Sequence, residues 1–497
     1  MRLLWREDAA QKGIVLGREG VWTKSKRPKP KSKLQEAFQP VDLKPYAYKW
    51  IFLNTTFNDF GKISQDGDHP MSVEGADTED ELFDEPTEIL RTTSLDSVSE
   101  RSQKLILGRS PSRPASQNYT SIEGNLFDYF VGVIGPNCSL SSSQNPYLEL
   151  LAPIAVTFPP LNSALLAVSA NQLRLLNDTR FEREALSHKH KAIQGVQSAI
   201  DVGNADARVV ATILMLCFYD ISDGCNPSWV THLRGGLSLL ESLSNYTGTH
   251  TASEKMLLTF LRMYFVAHAI MSRTANEEDF AFSDDPSCSW PDSEDMEEVD
   301  VLMGCSRELM AIIRKIPSLA AKAARIQESS APADTLIQLS TERDVIERSL
   351  LSLQQTIPST VNDPEQLTII AESKRLTALL YLRSRLPGLT FPHSNTIMSS
   401  AFKTNLIATI IEHLEKLPNT STLLWPLFVL GSMRELNEEQ RRFVHERLMA
   451  LQRLRNLGSI KRARLSVEEM WRRLDMKTDE TEIIGTKWFN DSAISLA

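Results

Sequence analysis

The chain has 497 residues, 42% of them hydrophobic and 24% charged, an ordinary globular balance. A net charge of −9 excludes a molecule that wraps nucleic acid over its whole surface, and five scattered cysteines argue against a disulfide framework and for a reducing compartment. The opening MRLLWREDAA carries charges inside any apolar stretch, so it is not a secretory signal, and no apolar run of about 18 residues is present to span a membrane, which leaves cytoplasm or nucleus.

Residues 1–34 form a basic arm. Ten cations face three acids between Met1 and Lys33, and the densest part is KSKRPKPKSK. Self-repulsion and two prolines keep such a run extended. Lys24, Lys26, Arg27, Lys29, Lys31 and Lys33 therefore read as a nuclear import signal or as phosphate contacts, against the plainer reading of a solvated tail. Residues 35–60 hold Tyr46, Tyr48, Trp50, Phe52, Phe57 and Phe60, too many aromatics for solvent, and are expected to dock on the main body.

Residues 61–118 change character. Ten acids and no Lys or Arg lie between Asp66 and Glu88, and Ser, Thr, Gly and Pro fill much of the rest. So little apolar area cannot offset chain entropy, and a disordered acidic Ser/Thr-rich linker is expected. Within it Leu82, Phe83, Ile89 and Leu90 are threaded through acids, the composition of an activation segment as well as of a plain linker.

From 119 to 476 the periodicity is helical throughout. Helices are expected over Leu126–Ile134, Tyr147–Val156, Leu161–Leu176 and Phe181–Ile200. Residues 207–243 then read as a buried helical hairpin, the centre of the chain. Apolar residues occupy most faces of its first helix, Asp223-Gly224 stops it, and Asn226-Pro227 opens the second helix, where Gly235-Gly236 leaves room for a neighbour. Met256–Met271 follows, then an acidic loop over Thr274–Glu298, and helices over Val301–Ile316, Thr341–Gln355, Glu372–Leu386, Met398–Leu417, Leu423–Met433, Glu438–Leu454 and Val467–Met476. Trp425-Pro426 should start or kink its helix, since proline removes a backbone donor. Residues 477–497 are a C-terminal tail. The fold class is all-α, one large helical domain after the acidic linker and basic arm.

No reactive constellation stands out, so no catalytic, cofactor-binding or metal residue is assigned. Cys138, Cys217, Cys225, Cys288 and Cys305 lack Cys-x-x-Cys spacing, and Cys217 and Cys305 read as core thiols. His188 and His190 fall on different faces of a helix. His232 and His268 sit among apolar residues as satisfied core histidines. No phosphate loop, nucleophile elbow or dinucleotide fingerprint occurs.

Several stretches resemble one family. RLLWREDAAQKGIVLGREGVW, FLNTTFNDF, NPYLELLAPIAV, WVTHLRGGLSLL, LMGCSRELMAII, KRLTALLYLRSRL, LLWPLFVLGSM, ERLMALQRLRNLGSIKRA and VEEMWRRLD, in this order from Arg2 to Asp475, are similar to the fungal zinc-cluster (Zn2Cys6) transcription factors. The branch is the one with the helical regulatory domain of the arginine-metabolism and acriflavine-sensitivity regulators. The resemblance implies a nuclear transcriptional regulator whose helical domain answers to the transcription machinery, to co-regulators, to a small-molecule effector or to a second copy in a homodimer, with no membrane partner. In these regulators a six-cysteine, two-zinc cluster precedes a stretch like MRLLWRE. This chain starts at that stretch, so it is expected to hold zinc only if a cluster lies upstream, and to bind DNA weakly and without sequence preference through its basic arm. A helical interaction scaffold with no transcriptional role is the alternative, and an enzyme on an all-α fold a more distant one.

Overall fold

The computed structural model describes residues 120–141, 145–244, 251–275, 295–328, 333–386, 396–476 and 494–496, all within the unit that takes in Ser94–Ala497. The basic arm, the aromatic segment 35–60 and the acidic segment 61–118 lie outside the described residues, as does most of 477–497.

Among the described residues fourteen α-helices make up the body, which is all-α as the periodicity predicts. The first half consists of α1 (Ser121–Tyr129), α2 (Ala152–Thr157), α3 (Pro159–Leu175), α4 (Glu182–Asp201), α5 (Ala207–Ser222), α6 (Ser228–Ser244) and α7 (Ala252–Ala275). A two-residue antiparallel pair, β1 (Val299–Asp300) and β2 (Cys305–Ser306), precedes the second half. That half comprises α8 (Arg307–Glu328), α9 (Ala333–Ser352), α10 (Pro364–Arg385), α11 (Thr396–Glu415), α12 (Leu424–Gly431), α13 (Glu438–Arg455) and α14 (Gly458–Met476). Successive helices pack mostly as neighbours.

Helix α5 is the centre of the first half. It touches α3, α4, α6, α7 and α14. Fourteen of its sixteen residues are buried, as a helix apolar on most faces requires. Asp206 caps its start by accepting from the Arg208 and Val209 amides. Gly224 ends the hairpin's first arm with φ +71°, and Cys225 follows at φ +54°. Asn226 supports the second arm, its backbone carbonyl accepting from Trp229 N.

Two expectations need correction. The segment at Val301 does not enter a helix at once. Asp300 accepts from the Leu302 and Met303 amides at 2.8 and 3.2 Å, Gly304 turns at φ +64°, and the chain pairs back on itself before α8 begins. Ser306 Oγ accepts from Leu309 N, so Ser306 is the true start signal. Helix α8 then runs through Pro317 to Glu328 rather than stopping at Ile316. The stretch at Tyr147 is likewise not one α-helix. Tyr147–Leu151 is a π turn just before Pro153, whose ring would clash with the Glu149 carbonyl in a regular helix. At Trp425-Pro426 proline falls in the first turn of α12, after the 3-10 turn Ser421–Leu423, and so starts the helix.

The paired glycines of α6 do different things. A Cβ at Gly236 would lie 2.5 Å from Cε1 of buried Phe265 on α7, whereas one at Gly235 would meet nothing within 4 Å. Gly236→Ala should therefore destabilise the protein by about 1–3 kcal/mol through overpacking, and Gly235→Ala should stabilise it by up to about 1 kcal/mol through helix propensity. Denaturant midpoints of the two variants check this, and equal effects would contradict the assigned close approach.

Candidate functional site

Lys24, Lys26, Arg27, Lys29, Lys31 and Lys33, and likewise Leu82, Phe83, Ile89 and Leu90, lie outside the described residues. Within the helical body, the polar groups that sequence reasoning passed over gather at the α5–α6 elbow.

Asp220 is the only charged residue between Val209 and Ser222, and its side chain is 1% exposed. Lys189 of α4 donates to its Oδ1. Ser228 Oγ, at the first position of α6, donates to Oδ2 at 2.6 Å, and His232 Nε2, one turn further on, lies 3.3 Å from the same oxygen. The Asp220 carbonyl meanwhile accepts from Asn226 N at 3.2 Å. Burial alone would raise this carboxyl, but the hydrogen bonds from His232, Lys189 and Ser228 outweigh it and hold its pKa below the usual range. Lys189 also lies over the Tyr219 ring, 4.6 Å from its centre.

A second layer fixes the elbow from outside. Arg174 of α3 donates to Asp223 and, at 2.6 Å, to Asn171 Oδ1, while Asn171 Nδ2 donates to Ser222 Oγ at 3.0 Å. Arg462 of α14 donates to the Gly224 carbonyl at 2.7 Å. A Cβ at Gly458 would lie 2.5 Å from Cys225 N, so the two backbones are almost in contact there.

A separate buried cluster ties β1–β2 to α10. Lys374 Nζ donates to the Met303 carbonyl, and Gln355 bridges Ser306 N and the Ala371 carbonyl at 2.9 Å each. Burial lowers the Lys374 pKa against the charges of Cys305 and Asp300, raises Asp300, and pushes Cys305 up to about 11. A desolvated lysine is a potential nucleophile, but this amine is buried and engaged by a carbonyl.

The histidines divide as their helix faces predict. His188 is buried and His190 exposed, so they do not converge. His268 Nδ1 donates to the Tyr264 carbonyl at 2.9 Å and its ring stacks on Tyr264, while burial brings its pKa down to about 4. Cys217 and Cys305 are core thiols. Among the described residues no group of three His, Cys, Asp or Glu side chains is placed to hold a metal ion, and no helix is long and apolar enough to cross a membrane. Trp425 fills the core and donates to Thr274 Oγ1 at 2.8 Å. Two surface concavities are lined by Asp295, Glu297, Glu298 and Glu308 and by Arg180, Glu182 and Arg183 among others, and neither includes a member of the Asp220 or Lys374 cluster. These clusters join helices.

Asp220→Asn keeps the shape but leaves Lys189 and His232 without a charged acceptor, and should cost about 2–3 kcal/mol of stability at neutral pH. The folded-state pKa lies below the ordinary 3.8, so the advantage of the native carboxylate is full above 3.8 and is lost as pH falls through the folded-state value. Denaturant unfolding of both proteins from pH 7 to pH 3 checks the loss and its pH window. A pH-independent difference would contradict the charged cluster.

Residues 125–490 match the family model described as the fungal specific transcription factor domain. No curated protein and no solved structure matches the chain. The matched span takes in both buried clusters and all but the first turn of the helical body, and on that match the chain belongs to the family that carries the fungal specific transcription factor domain.

Proposed function

We propose that the protein is a nuclear transcriptional regulator of the fungal zinc-cluster type, in which the helical body of 119–476 is the regulatory and effector part. The observation that carries this reading is the family match across that body. The family is non-enzymatic in general, and buried polar groups spent on joining helices agree with regulation rather than catalysis.

In this reading the basic run Lys24, Lys26, Arg27, Lys29, Lys31 and Lys33 directs nuclear entry. Leu82, Phe83, Ile89 and Leu90, spaced among acids, contact the transcription machinery or a co-regulator. The body biases that contact when it binds an effector, a co-regulator or a second copy, because a ligand shifts an equilibrium only through its differential affinity for two states. Residues 1–497 contain no Cys-x-x-Cys pair. Duplex DNA therefore meets only the basic arm, with weak, salt-sensitive and sequence-blind binding.

The test joins residues 1–497 to an unrelated DNA-binding domain in a fungal cell with a matching reporter. Reporter output should differ clearly from that of the DNA-binding domain alone, and alanine at Leu82, Phe83, Ile89 and Leu90 together should remove most of the difference. In the unfused chain, alanine at Lys26, Arg27, Lys29 and Lys31 should abolish nuclear accumulation of a fluorescent tag. A silent tethered chain would overturn the regulatory reading, and undiminished nuclear accumulation would overturn the import assignment.

A further inference from the structure

The hairpin elbow holds a piece of chain from far along the sequence. Ile494, Ser495 and Leu496 are 1%, 0% and 2% exposed. Three consecutive buried residues outside any helix describe a segment inserted into a crevice, since a strand laid on a surface would show every second side chain to water. The Ser495 backbone N–H donates to the Cys225 thiol, which fixes where the crevice is. Cys225 stands beside Gly224 at a positive φ, with Gly458 pressed against both and Arg462 holding the Gly224 carbonyl. The walls at this point are thus backbone turns braced by α14.

This segment lies outside the span that matches the family domain, which ends at residue 490. Neither of its aliphatic side chains belongs to the helical pattern of the body. One detail shows that the fit is to shape and apolar character rather than to serine: the Ser495 hydroxyl is buried with no hydrogen-bond partner. A buried, unpaired hydroxyl is destabilising relative to a methyl group of similar size.

We infer that the α5–α6 elbow is a peptide-binding site for a short extended segment of the form aliphatic–small–aliphatic, and that Ile494–Leu496 is its resident occupant in cis. The ligand class is an apolar peptide. Its recognition consists of two branched side chains in the crevice and a backbone N–H given to the Cys225 sulfur. Alanine at the central position suits the site better than the native serine. The resident segment is joined to α14 through the chain, so its local concentration is high and a free peptide of equal intrinsic affinity competes poorly with it. A partner with such a peptide gains access only by outcompeting the segment or when the segment is withdrawn. This inference rests on the body's geometry and stands whether or not the regulatory reading above is correct.

Cys225 supplies the readout. Burial pushes its thiol up to about 11, so it should resist alkylation while the crevice is filled. In the full-length chain carrying Ile494→Asp and Leu496→Asp, alkylation at Cys225, located by peptide mass spectrometry, should rise about tenfold or more over the parent. Cys305, buried in β2 away from the elbow, should stay protected and report that the body is folded. Should it open as well, the milder Ile494→Ala, Leu496→Ala chain is used in the same measurement. Adding the free peptide Asp-Ser-Ala-Ile-Ser-Leu-Ala to the variant should restore protection of Cys225. Asp-Ser-Ala-Ile-Ala-Leu-Ala should do so at roughly fivefold lower concentration, and a scrambled peptide should not. Unchanged protection of Cys225 in the variants would show that the segment does not cover it. Exposure that no peptide reverses would show a fixed piece of core rather than a binding site. Either result overturns the proposal.

Discussion

A carboxylate sealed inside an apolar hairpin is tolerable only when its charge is met by donors, and Asp220 meets that condition with donors from two other helices. Lys189 comes from α4, and Ser228 and His232 come from α6. Neither helix can leave α5 without stranding a charge in low dielectric, where the desolvation penalty is several kcal/mol per ion. Apolar contact holds α5 in place without fixing its rotation, because most of its faces are alike. The carboxylate sets which face meets α4 and α6. The turn at Gly224 and Cys225, with the brace from Arg462 and the close approach of Gly458, lies just beyond it along the chain.

The same logic explains why the body looks chemically quiet while holding many ionisable groups. Asp220, Lys374, His268 and the buried thiols are shifted from their ordinary pKa values, a feature often found at active sites. Here each shift is accounted for by burial and by nearby protein groups. Lys374 reaches a turn carbonyl, and His268 reaches the carbonyl one turn before it on its own helix. Such groups tie helices into one arrangement, which is what a regulatory domain needs if a distant partner is to feel which arrangement it is in. The joints between elements, the elbow above all, are where a ligand can prefer one arrangement over another.

The helices themselves were largely legible in the sequence, since apolar spacing at three and four residues is a local signal. The hairpin at 207–243, its stop at Gly224 and the helix start at Pro426 agree with the structure. The late start of α8 was not legible from apolar spacing, because LMG in that stretch is apolar yet belongs to a turn held by the Asp300 carboxylate. Ser306 ahead of a helical run was the signal to weigh. The expected end at Ile316 was too early: a proline such as Pro317 inside a helix is a local cost, while packing of the long α8 against α7, α9 and α10 is a tertiary gain that no local rule contains. The Asp220 cluster was half legible. A lone acid in an apolar helix had to find donors, but Lys189 is thirty-one residues away and only the fold brings it in. The insertion of Ile494–Leu496 left no periodic trace at all.

The account turns on the coupling between Asp220 and Lys189, and a double-mutant cycle measures it most directly. Asp220→Asn, Lys189→Met and the double variant are unfolded in denaturant at neutral pH beside the parent chain. A coupling of about 1–3 kcal/mol is expected, the double variant being less destabilised than the two single changes together imply. A coupling indistinguishable from zero would contradict the claim that this buried charge pair holds the hairpin to α4, and the elbow would then owe its shape to apolar packing alone.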